Sequence, residues 1–307
     1  MKVFINYFLD YFRKDFSLFA HLFTLIFIGI CIYLNYEHQV YEDHFRIINY
    51  SELRLLKLWL MYSFAFIVPV IIVSLFQKEK KIIYNWKYLL FGGLALAIIT
   101  FDSSYYLLKY IRPLLEGSDS YSFLYACVSN MLSLVSVMLP VFIIYNLVKF
   151  FKPELYGLRL NGANLKPYLW MILFMIPIVF IASIGEDFLN YYPTFYQRDF
   201  SGSGLSENTK IWLFELCYGF DFISVELLFR GFMVVALSRF VGKDAILPMV
   251  ACYAFLHFGK PMMETVGSVF GGFALGVLAY KSRNIYGGII VHLGVAWGME
   301  LAAFSQL

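Results

Sequence analysis

The sequence predicts an all-α polytopic membrane protein, and three observations carry that expectation. The 307-residue chain is 61% hydrophobic and 15% charged, against about 25% charged in soluble domains. Its apolar residues gather into runs near the ~20 residues that span a bilayer. Nine apolar segments stand out, at about 17–35, 58–76, 88–108, 122–148, 168–186, 211–238, 244–258, 266–280 and 285–304. They predict 8–9 transmembrane helices in contact with a lipid bilayer.

Residues 1–15 mix Phe and Tyr with Lys2, Asp10, Arg13, Lys14 and Asp15. That pattern predicts an amphipathic helix lying on the membrane surface. No small-residue cleavage site follows the first apolar run, so it does not read as a removable signal. With the N-terminus in the cytoplasm, the larger share of Lys and Arg falls in cytoplasmic segments, Lys78, Lys80 and Lys81 among them. The segment at 211–238 is long enough to tilt. The segment at 244–258 is about 22 Å long as a helix, less than the ~30 Å core, which leaves open whether it crosses fully or starts or ends inside the membrane.

Two blocks are expected. Residues 1–148 form an N-terminal transmembrane block with few polar intrusions. Residues 149–167 read as a basic cytoplasmic linker punctuated by Gly, Asn and Pro. Residues 168–307 form a C-terminal membrane domain, with an outer loop at 189–210. The net charge of +3 is too small to argue for nucleic acid. The four cysteines, Cys31, Cys127, Cys217 and Cys252, form no CxxC pair and read as isolated thiols rather than a disulfide or zinc-thiolate framework.

The chemistry-bearing residues lie in the last third. Glu226, His257 and His292 each sit in a separate apolar segment, where an ionisable group costs several kcal/mol unless it pairs or works. Glu226 and Arg230 are four apart and share a helix face, so an ion pair is expected. His257 closes an apolar run and is followed by Gly259 and Pro261, a break that frees backbone carbonyls. Lys260 and Glu264 are spaced to pair with each other. His292, Ala296 and Glu300 share a face, and Glu300 reads equally well as a residue of the outer membrane surface. Gly267, Gly271, Gly272 and Gly276 form two small-xxx-small patterns that predict close helix packing.

The ordered motifs Glu226-Leu-Leu-Phe-Arg230-Gly, Tyr253-Ala-Phe-Leu-His257 and His292-Leu-Gly-Val-Ala296 resemble the CPBP family of intramembrane endopeptidases (CAAX protease and bacteriocin-processing, also called Abi). The resemblance covers about residues 210–302. The family pattern is Glu-Glu-x-x-x-Arg, Phe-x-x-x-His and His-x-x-x-Asn or Asp. Glu226, Arg230, His257 and His292 match it, and Tyr253 replaces the Phe. Val225 stands at the first Glu and Ala296 at the Asn or Asp. The resemblance implies a hydrolase with Glu226, His257 and His292 as catalytic residues and Arg230 in support. Glu226 would be the base, His257 would orient the water, and His292 would stabilise the oxyanion. Asp221 or Glu300, each one turn from a missing group, could replace it. The substrate would be a membrane-associated peptide or protein. A metalloprotease-like variant would hold zinc on Glu226, His257 and His292. The resemblance also implies a bacterial cytoplasmic (inner) membrane.

Two other readings stay open. A catalytically inactive homologue would serve as a binding, scaffold or immunity subunit with a membrane protein partner. A proton- or ion-coupled transporter would use Asp102, Asp221 and Glu226.

Overall fold

The computed structural model describes residues 2–46, 51–77, 81–152, 154–159, 165–200 and 204–306. Parts of the linker (153 and 160–164) and of the outer loop (201–203), together with Lys78 and Lys80 of the basic cluster, lie outside the described residues. Helices are the only regular secondary structure among the described residues. The chain is an integral multi-pass membrane protein, in agreement with the sequence.

The principal helices are α1 (Lys2–Lys14), α2 (Leu18–Glu37), α3 (Glu52–Phe76), α4 (Trp86–Ser103), α5 (Leu108–Leu115), α6 (Tyr121–Met131), α7 (Leu139–Leu147), α8 (Lys166–Ala182), α9 (Glu207–Glu226), α10 (Ile246–Leu256), α11 (Met262–Ser282) and α12 (Tyr286–Phe304). Local chemistry sets several starts. Ser51, Asn85 and Ser206 each accept a hydrogen bond from the backbone N–H three residues on, at 3.2, 3.1 and 3.3 Å. These side chains satisfy donors that have no partner inside the helix. Pro261 precedes α11, and Arg283 ends it in the left-handed region at φ 56°.

Six described helices are long and apolar enough to cross a membrane: Leu18–Glu37, Glu52–Phe76, Trp86–Leu115, Tyr121–Leu147, Met262–Ser282 and Tyr286–Phe304. The remaining three expected segments differ for physical reasons. Helix α8 is apolar but has 17 residues. Helix α9 carries Glu207, Lys210, Glu215, Asp221 and Glu226, which dilute its hydropathy. Helix α10 has 11 residues and is about 16 Å long, roughly half of the ~30 Å hydrocarbon core.

Helix α10 is the centre of the packing. It is buried on every side, with Met249, Ala251, Cys252 and Ala254 all at 0% exposure. It packs against α3, α11 and α2, so both blocks of the chain build one core. Gly272 and Gly276 admit it closely: a Cβ on either would meet Tyr253 or Met249 within 3.0 Å. Gly267 and Gly271 face open space instead, so only two of the four glycines act as the packing pattern predicts.

Helix α1 is docked on the protein as well as being amphipathic. Lys281 of α11 binds Asp10 and Asp15 at 2.5 and 2.6 Å. Tyr11 is buried against Phe273, with ring centroids 5.6 Å apart. Outside the membrane-spanning segments, Asp10 is held down to about 2 by Lys14 first and then by Lys281. The four cysteines are free thiols.

Candidate active site

Helix α9 passes without a break into a π-helix, Leu227–Ala236. Such wide turns recur at functional positions. Here the transition puts Glu226 and Arg230 on one buried face, at 0% and 1% exposure. Arg230 Nη1 lies 2.9 Å from Glu226 Oε1. The contact is electrostatic, because no guanidinium N–H is aligned to donate a hydrogen bond. The guanidinium also lies 4.1 Å from the centre of the Tyr253 ring, a cation–π contact that helps to hold a charge in an apolar interior. The expected ion pair is therefore present, and it has an aromatic companion.

His292 is brought to the same carboxylate. Its Nδ1 lies 3.0 Å from Glu226 Oε1. Its Nε2 lies 3.2 Å from the Tyr253 hydroxyl. Three elements thus meet in one chain of contacts, Glu226 to His292 to Tyr253. His257 packs against the same tyrosine, with ring centroids 4.7 Å apart. His257 Nδ1 contacts the Tyr253 carbonyl at 2.8 Å. A carbonyl only accepts, so Nδ1 carries the proton and Nε2 of the neutral ring keeps its lone pair.

Tyr253, His257, Arg230 and His292 line a cavity of about 1360 Å³. Its walls are apolar side chains of α8, α11 and α12, with Phe4 of α1 at one end. Leu173, Phe174, Ile181, Met263 and Phe270 line it and remain exposed on their outer faces. The cavity therefore reaches the apolar surface formed by α8 and α11. Gly267 and Gly271 lie on its wall.

The other expected site residues sit elsewhere. Glu226 does not line the large cavity. Its Oε1 is shared by Arg230 and His292, and its Oε2 faces Gly288. Asp221 also lies off the cavity, facing Ser133 and within electrostatic reach of Asp102. Glu300 is 2% exposed and accepts hydrogen bonds from Thr194 N at 3.0 Å and Oγ1 at 2.6 Å, in the segment expected as an outer loop. Lys260 and Glu264 pair at 3.6 Å, as their spacing predicts. Ala296 is 1% exposed and packs with Phe123, Phe214 and Tyr218, and Val225 packs on the core. Neither position supplies a polar group.

The zinc set of Glu226, His257 and His292 does not fit this arrangement. Glu226 meets His292 through Nδ1, which leaves the remaining imidazole lone pair on the far side of the ring from the carboxylate. Among the described residues no group of three or more His, Cys, Asp and Glu side chains is placed to hold a metal ion.

Tyr253 is the participant that sequence reasoning underrated. Its one available signal was a phenol in an apolar run, where a buried hydroxyl needs a partner.

No curated protein and no solved structure matches the chain. Residues 207–298, from the start of α9 into α12, match the family model described as Type II CAAX prenyl endopeptidase Rce1-like. That stretch contains Glu226, Arg230, Tyr253, His257 and His292, and through it the chain carries an Rce1-like family domain, consistent with a CPBP family intramembrane protease.

Proposed function

We propose that the chain is an intramembrane endopeptidase of CPBP type, acting on a membrane-associated peptide or protein that reaches the site sideways from lipid. One observation carries this: two imidazoles share a large apolar-walled cavity, each with its Nδ1 already engaged. His257 is the general base. A water bound at its Nε2 gives up a proton to that nitrogen, and the oxygen bonds to the scissile carbonyl carbon. The tetrahedral adduct then collapses, the C–N bond breaks, and the His257 proton passes to the leaving nitrogen. Glu226 acts through His292, fixing its ring rather than touching the water. Arg230 balances the Glu226 charge. The N-terminus faces the cytoplasm of a bacterial cell membrane, in line with the basic inner segments.

The assay is cleavage of a quenched fluorogenic peptide in proteoliposomes, the peptide carrying a farnesylated cysteine four residues from its C-terminus. His257→Ala is expected to lower kcat by about 10²–10⁴-fold, the usual range for a positioned general base. Cleavage at the wild-type rate by His257→Ala would end the proposal.

A second reading is favoured by one observation, the apolar and packed Val225 and Ala296. In it the fold is an inactive scaffold that binds a membrane protein partner. That reading requires a detergent-stable complex with the partner that survives His257→Ala and His292→Ala, with no cleavage by the wild type.

A further inference from the structure

We infer that the Tyr253 hydroxyl is a catalytic donor, taking the oxyanion that forms when water adds to the scissile carbonyl. The assignment rests on the endopeptidase reading above.

The geometry starts with the ring. Arg230 stands 4.1 Å from its centre, and the His257 and Phe229 ring centres lie 4.7 and 5.1 Å away. On the α11 side, the ring occupies the space where a Cβ at Gly272 would approach Cδ1 to 2.9 Å. Packing on these sides fixes the hydroxyl before substrate arrives. A fixed donor costs little reorganisation during reaction, which is what makes such groups effective.

The imidazole donors are already committed. The Nδ1–H of His257 goes to the Tyr253 carbonyl, and His292 Nδ1 goes to Glu226. In their neutral forms both rings offer the cavity only a lone pair at Nε2. Ser268 also lines the cavity, but its hydroxyl donates to the Thr265 carbonyl at 2.7 Å. Ala296, on the same wall, has no polar atom. Arg230 also lines the cavity, but its guanidinium is held by charge between Glu226 at 2.9 Å and the Tyr253 ring at 4.1 Å. The Tyr253 O–H, resting on His292 Nε2 at 3.2 Å, is a neutral donor that can turn about its C–O bond.

The step balances simply. The water proton goes to His257 Nε2, the water oxygen bonds to carbon, and the C=O π pair becomes the oxyanion. The Tyr253 O–H rotates about its C–O bond from His292 Nε2 to that oxyanion and keeps its proton. Collapse restores the carbonyl and returns the hydroxyl to His292.

The test uses the full chain in proteoliposomes with the farnesylated peptide. Tyr253→Phe removes one oxygen and keeps the ring on Arg230. The expected result is a kcat lower by about 10²–10³-fold, as for loss of one oxyanion donor, with KM within about twofold of wild type. A second measurement does not depend on turnover. A phosphonate analogue of the peptide carries an anionic oxygen where the oxyanion forms, and Tyr253→Phe should weaken its binding at least about tenfold while leaving binding of the amide peptide unchanged. An unchanged kcat, or equal weakening of phosphonate and amide, with His257→Ala inactive, overturns the tyrosine role alone. Wild-type protein that cleaves nothing, or His257→Ala that cleaves normally, overturns the endopeptidase reading and the tyrosine role with it.

Discussion

Gly288 faces Glu226 so closely that a Cβ at position 288 would stand 2.5 Å from the carboxylate Oε2. One hydrogen atom on α12 is therefore all that fits beside the acid holding His292. Gly288→Ala should push the carboxylate off Arg230 and His292. We expect a stability loss of about 1–3 kcal/mol, typical of overpacking, and a fall in kcat. Thermal unfolding and cleavage assays on the purified variant check both. A fully active, equally stable alanine variant would mean that the carboxylate can move without consequence.

Glu226→Gln keeps the size of the side chain and removes its charge. Arg230, 1% exposed, then loses the only carboxylate paired with it among the described residues. Breaking one side of a buried pair typically costs about 3–5 kcal/mol. His292 keeps only a neutral amide oxygen in place of the carboxylate that orients its ring. Expected outcomes are a lower unfolding midpoint and loss of most cleavage, both read on detergent-solubilised protein.

Gly271 has open space where its Cβ would be, and it lines the cavity. Gly271→Leu should fold normally because the added side chain enters the cavity rather than a packed contact. It should raise KM for a substrate with a bulky apolar chain more than for a short one, with kcat for the short one preserved. Equal effects on both substrates would show that this part of the cavity does not receive the substrate.

The docking of α1 has a defined acid limit. The Asp10 carboxyl is lowered from 3.8 to about 2 by Lys14 and Lys281. Its contribution is complete above pH 3.8 and disappears as pH falls toward about 2, because the folded state binds that proton less readily than the unfolded chain. Limited proteolysis near residues 15–17 should therefore be slow at pH 5 and rise only below about pH 3. Lys281→Ala, which removes the partner of both Asp10 and Asp15, should make the same site labile at neutral pH.

The motif residues were legible because an ionisable side chain in an apolar run stands out without any structure. Glu226, Arg230, His257 and His292 could be named in that way, and the i,i+4 spacing anticipated the Glu226–Arg230 and Lys260–Glu264 pairs. Which nitrogen meets which oxygen could not be read: Glu226 contacts His292 Nδ1 and stays out of the cavity. The partner of Glu300 could not be read, because Thr194 lies 106 positions away in an irregular loop. The Gly pattern on α11 gave packing for Gly272 and Gly276 but could not separate them from Gly267 and Gly271, since the shape of the facing α8 enters only in three dimensions. Tyr253 was hidden by resemblance itself, because an aromatic in an aromatic position draws no notice until its hydroxyl is seen on His292.

Helix α10 ends partway through the molecule, and what finishes it comes from the other half of the chain. Asn35 Nδ2 donates to the Phe258 carbonyl at 3.0 Å, and the Tyr36 hydroxyl lies 2.7 Å from the Lys260 carbonyl and 2.6 Å from Thr265 Oγ1. Thr265 in turn donates to the His257 carbonyl at 2.6 Å. Carbonyls left bare in hydrocarbon cost several kcal/mol each, so α2 underwrites the turn that carries His257. The region spanning 207–298 is consequently not a transplantable cassette. Grafted onto another membrane scaffold it would arrive with a frayed histidine turn, and an engineer wishing to move this chemistry would have to carry Asn35 and Tyr36 along with it.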